Sequence, residues 1–234
     1  MGKKNGIFLY ADRAGYITKE ESYKDDSLDG YRRTYYTGGR IKSEEHFKNG
    51  KLDGYKRVYS ASNKIAEEGF YVNGQRSGVN RWYYSDGKLF TESNYTNGKL
   101  EGAMTIYHQN GNIAGKSTYV NNMMEGDYTE FYENGKVSVK GTYVHDKEEG
   151  KWNEYYESGA PYITGQYKNG QRVGTWTEMS EAGKKTATVK YTDGKITSGA
   201  FTGKHENPKP ADDNKSQQQP APQNGQPAKP QGGH

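Results

Sequence analysis

The chain has no cysteine at all, which removes disulfide frameworks and thiolate metal sites from consideration. It is also poor in the residues that fill ordinary cores. Leu, Ile, Val and Phe together number 28 of 234 residues, and no run approaches the roughly 18 apolar residues of a membrane-spanning helix. Proline is scarce, and six of the seven prolines lie in the last 31 residues. Charge of one sign is missing as well: 33 Lys and Arg against 29 Asp and Glu leave +4, so no strong electrostatic partner is implied. Such low aliphatic content accompanies disorder when net charge is high and aromatic residues are few. Here the opposite holds, with 22 Tyr, 6 Phe, 3 Trp and 31 Gly. The chain therefore calls for a fold built on tyrosine and glycine.

What is present is a repeat. Gly6, Gly30, Gly54, Gly78, Gly102, Gly126, Gly150 and Gly174 stand 24 residues apart without slippage. Rings follow the same period in Tyr23, Phe47, Tyr71, Tyr95, Tyr119, Tyr143, Tyr167 and Tyr191, and again in Tyr35, Tyr59, Tyr83, Tyr107, Phe131 and Tyr155, ending in Met179. An aliphatic series runs from Ile17 to Val137 and is broken by Pro161 and Lys185. The positions from Asp26 to Gly194 hold only Gly, Asn or Asp, and five follow an Asn, the strongest short signal for a two-residue hairpin. A second series of turn glycines, including Gly15, Gly39 and Gly87, closes each unit. Two strands and two turns per unit predict an all-β fold: an elongated single-sheet repeat of antiparallel β-hairpins, about eight units of 24 residues over 1–203. Sixteen strands at the usual spacing would give a ribbon on the order of 75 Å. Residues 204–234, with Gln217-Gln218-Gln219 and the prolines, read as a disordered tail.

A type I′ turn predicts the register Tyr23 with Leu28, Glu21 with Gly30, and Lys19 with Arg32. The in-strand glycine then faces other small positions, such as Gly69 against Gly78, which leaves room over the backbone for a neighbouring ring. Glu20, Glu44 and Glu68 fall diagonal to Arg33, Arg57 and Arg81 on the other face. In the second half of the chain the series that begins at Arg32 turns apolar as Met104, Tyr128, Trp152 and Trp176, which makes that half the better candidate for a specific site. The expected binding surface is Tyr35, Tyr59, Tyr83, Tyr107, Tyr128, Phe131, Trp152, Tyr155 and Trp176, with the ring ladders exposed.

Catalysis needs different groups converging, whereas a translational repeat supplies the same group at regular intervals. The five histidines occupy unrelated repeat positions, and there is no His-x-x-x-His pair, Gly-x-Ser-x-Gly elbow or phosphate-binding glycine loop. No enzyme, cofactor or metal is expected. Basic residues interleave with rings at Tyr31-Arg32-Arg33-Thr34-Tyr35-Tyr36, but acidic neighbours cancel the field, so no nucleic-acid partner is expected.

The recurring Tyr-x-Asn-Gly-x-x-x-Gly followed by a Tyr pair is seen in Tyr71-Val72-Asn73-Gly74 to Gly78 with Trp82-Tyr83-Tyr84, and in Tyr167-Lys168-Asn169-Gly170 to Gly174 with Trp176. This pattern resembles the MORN repeats, and more closely the bacterial MORN-variant repeats of the YwqK-type antitoxin family. The resemblance implies a hairpin array with a binding role: a protein-interaction scaffold, or, as an antitoxin, one that neutralises a partner toxin. The expectation is a cytoplasmic monomer that binds a protein partner. The alternative is a carbohydrate-, cell-wall- or membrane-associated module of a longer envelope protein, suggested by the start of the chain inside a repeat.

Overall fold

The computed structural model describes residues 2–202, so the expected tail at 204–234 lies outside the described residues. Eighteen strands, from β1 (Gly6–Ala11) to β18 (Lys195–Ser198), form one open antiparallel sheet within the unit Met1–Phe201. Each strand is hydrogen-bonded to the next in sequence, except that β11 (Met123–Met124) and β12 (Gly126–Phe131) both pair with β10 (Ile113–Val120), and among the described residues there is no helix. Eighteen replaces the expected sixteen for two reasons. The array carries a further short strand at its C-terminal end, and one strand is split at Glu125 into β11 and β12.

All eight two-residue turns have both central residues in the left-handed region, from Asp25 and Asp26 (φ 48° and 66°) to Asp193 and Gly194 (47° and 76°). This is the type I′ geometry whose twist matches the flanking strands. The register beyond the turn differs from the expectation. Between β2 (Ile17–Lys24) and β3 (Ser27–Tyr35), Tyr23 pairs with Leu28, but Glu21 then pairs with Arg32 and Lys19 with Thr34. Gly30 causes the slip. Its φ of 104° creates a bulge that consumes two extra residues of β3, and the equivalent glycines down the array also have positive φ. The 24-residue glycine is thus a backbone requirement, and the packing explanation belongs to another series.

That series is Glu21, Glu45, Gly69, Ser93, Ser117, Gly141, Gly165 and Val189, which alternates across the sheet with Arg32, Lys56, Asn80, Met104, Tyr128, Trp152 and Trp176. Residue size is complementary between the two. A Cβ on Gly141 would collide with the indole of Trp152, and one on Gly165 with the indole of Trp176. Rings do lie over bare backbone, but over these glycines. In the second half this produces the core: Val139, Trp152, Tyr162, Ile163 and Trp176, with Tyr128, Tyr143, Tyr167, Tyr191 and Phe201 packed around them. Tyr162 and Ile163 are adjacent yet both buried, which strict strand alternation forbids. The ladder slips here, pairing Glu154 with Ile163 and Tyr155 with Pro161, so neighbouring side chains reach one face.

Units are tied together by bonds that cross the repeat. The Tyr36, Tyr84, Tyr132 and Tyr156 hydroxyls donate to the carbonyls of Tyr59, Tyr107, Tyr155 and Met179 at 2.5 to 2.8 Å, and His108 Nε2 reaches the Phe131 carbonyl at 2.8 Å. At the opposite margin each turn leans on the one before it, as when Gly74 N–H donates to the Leu52 carbonyl at 2.7 Å. Carboxylates of Asp29, Asp53, Glu101, Glu125 and Glu149 accept from the turn amides of residues 49, 73, 121, 145 and 169. Stability is therefore a sum of unit and neighbour terms, with each neighbour term carrying specific hydrogen bonds.

Candidate binding faces

The sheet has a core face and an open face, and they divide the nine expected surface residues. Tyr128, Trp152 and Trp176 project to the core face. Trp152 is 5% and Trp176 0% exposed, so these indoles form the packed interior and offer no platform to a partner. Sequence reading treated aromatic content as surface because a single sheet has no second layer to bury it. Here the cover comes from the sheet itself, where Tyr167 and Tyr191 stand edge-on to Trp176 at 5.1 and 6.3 Å and Arg172 lies 4.3 Å above it.

Tyr35, Tyr59 and Tyr83 project to the open face and are half-buried. Their hydroxyls donate to Glu20, Glu44 and Glu68 at 3.0 Å or less. Tyr107, Phe131 and Tyr155 occupy the same repeat position beyond them, where the acidic series continues as Glu92 and then becomes Lys116 and Lys140. The nine residues thus form two groups on opposite faces.

On the open face the ion pairs sit directly opposite one another instead of diagonally, because of the glycine bulge. Glu20, Arg33, Glu44, Arg57, Glu68, Arg81 and Glu92 make a row of alternating sign. Arg33 bonds Glu44 at 2.9 Å and lies 4.0 Å from Glu20, while Arg81 bonds Glu92 at 2.7 Å and lies 3.6 Å from Glu68. Burial alone would raise the Glu68 carboxyl; the Tyr83 and Arg57 hydrogen bonds and the charges of Arg57 and Arg81 outweigh it and hold the group below the ordinary carboxylate range. The Tyr83 phenol is pushed up to about 12 by burial and by its bond to Glu68. Beside the row runs an apolar stripe that sequence reading missed: Ile7, Tyr31, Tyr55 and Val79, one per unit, with Tyr55 62% exposed and set edge-on to Phe70 at 5.1 Å. The 24-residue spacing carried this signal. The stripe ends at Ala103, Asp127, Lys151 and Thr175.

In the second half the open face is polar. A shallow depression of about 350 Å³ is lined by Lys151, Thr164, Gln166, Val173, Thr175 and Thr177. The core face there holds a row of carboxylates, Glu130, Glu154 and Glu178. Glu154 is 6% exposed, with Oε2 unpartnered and Arg172 3.9 Å from Oε1. Burial pushes its carboxyl above the ordinary range, with Arg172 opposing and Glu130 adding to the shift. Among the described residues no group of three or more His, Cys, Asp or Glu is placed to hold a metal ion.

Five segments match the family model described as MORN repeat variant: residues 28–49, 76–97, 100–121, 124–145 and 148–169, a little under half the chain. Each runs from a bulged strand through the returning strand to the next Asn-Gly-type turn, and the open sheet of hairpin repeats is what such units build. No curated protein matches the chain. The antitoxin resemblance thus finds no relative to support it.

Proposed function

We propose that this repeat array is a non-catalytic scaffold that holds a protein partner against the open face of its first four units. The observation that carries this reading is the side-by-side placement of the alternating Glu/Arg row and the stripe Ile7, Tyr31, Tyr55 and Val79. Tyrosine and arginine are the residues most enriched at energetic centres of protein interfaces. Many of these side chains are already held by bonds to one another, as Tyr31 and Tyr35 both are to Glu20, so docking would cost little further side-chain entropy. The match to MORN repeat variants supports a scaffold role. A toxin would be one such partner, a special case that rests on the resemblance alone. All three indoles are buried, so a carbohydrate-stacking role would have no tryptophan to use.

The test is affinity capture from the native cell extract with the wild-type chain and with a Tyr31→Ser/Tyr55→Ser variant. A protein retained only by the wild type must then re-form a complex from purified components. A purified pair indifferent to both substitutions, or binding only to lipid vesicles or cell wall, overturns the assignment.

A further inference from the structure

The two outer strands of the sheet are unlike. β18 is blunt: it has four residues and opens on Lys195. Beyond it, Phe201 lies 5.7 Å from the Arg172 guanidinium, packed against the core of the second half. β1, at the other margin, pairs with β2 on one side, and among the described residues no strand lies along its other edge. A strand edge without a neighbour presents amides and carbonyls that accept an added strand. The side chains of β1 favour such an addition. In every other unit the four residues after the bulge glycine include a polar or charged one, whereas in β1 they are Ile7, Phe8, Leu9 and Tyr10. Leu9 stands where the other units have only Arg, Thr or Asn, from Arg33 to Thr177. Ile7 and Leu9 are 58% and 61% exposed. Edge strands are ordinarily kept from pairing by charge, proline or brevity, and β1 has none of the three.

The register of an added strand follows from the geometry of the array. On the corresponding side of β3, Arg32, Arg33 and Thr34 pair with consecutive residues of β2. The Gly30 bulge then interrupts, and pairing resumes at Leu28, two partner residues further on. In β1 the regular positions are therefore Phe8, Leu9 and Tyr10, and Lys4 is the position beyond the bulge, where Gly6 has a φ of 92°. An antiparallel copy of β1 centred on Leu9 sets Leu9 against Leu9 on the open face and Phe8 against Tyr10 on the core face. Past the bulge it brings Lys4 of each chain opposite Asp12 of the other. Asp12 is exposed, and its carboxylate is held in place by the Ala14 and Tyr16 amides at 2.9 and 3.0 Å. Centring on Phe8 would force the bulge into regular pairing, and centring on Tyr10 would set Phe8 against Asp12. Of the three, the Leu9 axis alone opposes apolar to apolar and cation to anion.

We infer that, in place of the expected monomer, β1 pairs antiparallel with β1 of a second copy across a two-fold axis at Leu9, joining the two sheets edge to edge. Such pairing is closed, because each chain uses its β1 and turns its β18 outward. It occupies the margin of the sheet and stands whether or not the open-face stripe has a protein partner.

The chain has no cysteine, so single introduced cysteines report the axis directly. Opposed residues of an antiparallel pair lie about 4.5–5.5 Å apart at Cα, within disulfide reach. The two Ile7 residues would stand about 13 Å apart, four residues along the strand. In a glutathione redox buffer, L9C should therefore form a disulfide-linked dimer about tenfold faster than I7C, although the two positions are similarly exposed. Sedimentation of the wild type from about 1 to 300 µM should show one chain becoming two and no larger species. L9R should stay a single chain over that range and keep the wild-type circular dichroism spectrum. Its arginine faces Glu20 within its own chain, as Arg33 faces Glu44, but meets a second arginine across the axis. The cysteine pair decides the matter even where L9R does not fold. Equal rates for L9C and I7C, a wild type that remains a single chain at about 300 µM, a folded L9R that dimerises like the wild type, or growth beyond two chains would overturn the assignment.

Discussion

Replacing Gly165 by serine tests the packing rule on which the second half of the sheet depends. The added Cβ would lie no farther than 2.5 Å from three atoms of the Trp176 indole, where about 3.5–4 Å is needed. The indole must retreat by more than an ångström, yet it is fully buried and hydrogen-bonded through Nε1 to the Gln166 carbonyl at 3.2 Å. Gly165 does not have positive φ, so the substitution adds no backbone strain and its effect is steric. Overpacking of this kind costs about 1–3 kcal/mol. Three units earlier the equivalent residues are Ser93 and Met104, registered opposite one another. Trp176→Met alone should cost about 2–3 kcal/mol for the lost ring, but in the Gly165→Ser background it should cost about 1 kcal/mol or more less, because serine and methionine fit together as they do at 93 and 104. Urea melts followed by far-ultraviolet circular dichroism give all four corners of the cycle. Additivity within about 0.5 kcal/mol would refute the size-complementarity argument.

Gly78→Ala serves as the contrasting case: nothing lies within 4 Å of the added carbon, but φ is +63°, so a loss of about 1 kcal/mol should appear whatever its neighbours are. Tyr84→Phe removes the 2.6 Å bond to the Tyr107 carbonyl and should cost about 0.5–1.5 kcal/mol, read from the same melts. His145 is an unusual residue for a left-handed turn position, at φ 50°, and His145→Asn should raise stability by about 0.5 kcal/mol. Glu154 has its carboxyl raised by burial, so its contribution is intact below the ordinary carboxylate range and is lost as pH climbs through the elevated folded value. Glu154→Gln should remove that loss and leave the chain more stable than wild type at pH 7; an unchanged slope of melting midpoint against pH would refute this.

The repeat, the turn type and the fold class were legible because each depends on backbone chemistry that one residue type advertises. Asn-Gly announces its own φ angles. The bulge was not legible, although Gly30 and its equivalents were in plain view: a strand glycine can serve either a close packing contact or a positive φ, and a list of residues does not say which. That ambiguity moved the register by two residues beyond the turn and reassigned the close contacts from Gly30 to Gly141 and Gly165. The second tyrosine of Tyr35-Tyr36 or Tyr83-Tyr84 donates to a carbonyl 23 residues on, a bond between units that no single unit's pattern contains. Trp152 and Trp176 were misplaced for a related reason, since their burial depends on Arg172 and on tyrosines of adjacent units.

The two halves of the array use one backbone to opposite ends. In the first half the core face carries ion pairs, with Arg32 on Glu45 at 2.7 Å and Glu67 shared by Lys56 and Arg76 at 3.3 and 2.8 Å, while exposed apolar side chains stand on the open face. In the second half the core face holds Trp152 and Trp176 and the open face holds threonine and lysine. Because hairpin geometry is set by left-handed turn positions and a bulge glycine that recur in every unit, the face residues are free to vary without disturbing the register. A partner that needs apolar contact therefore finds it on the open face of the early units. Tyr31→Ser/Tyr55→Ser should abolish that contact while keeping the strand content of the wild type, because neither residue is a turn residue or a bulge glycine.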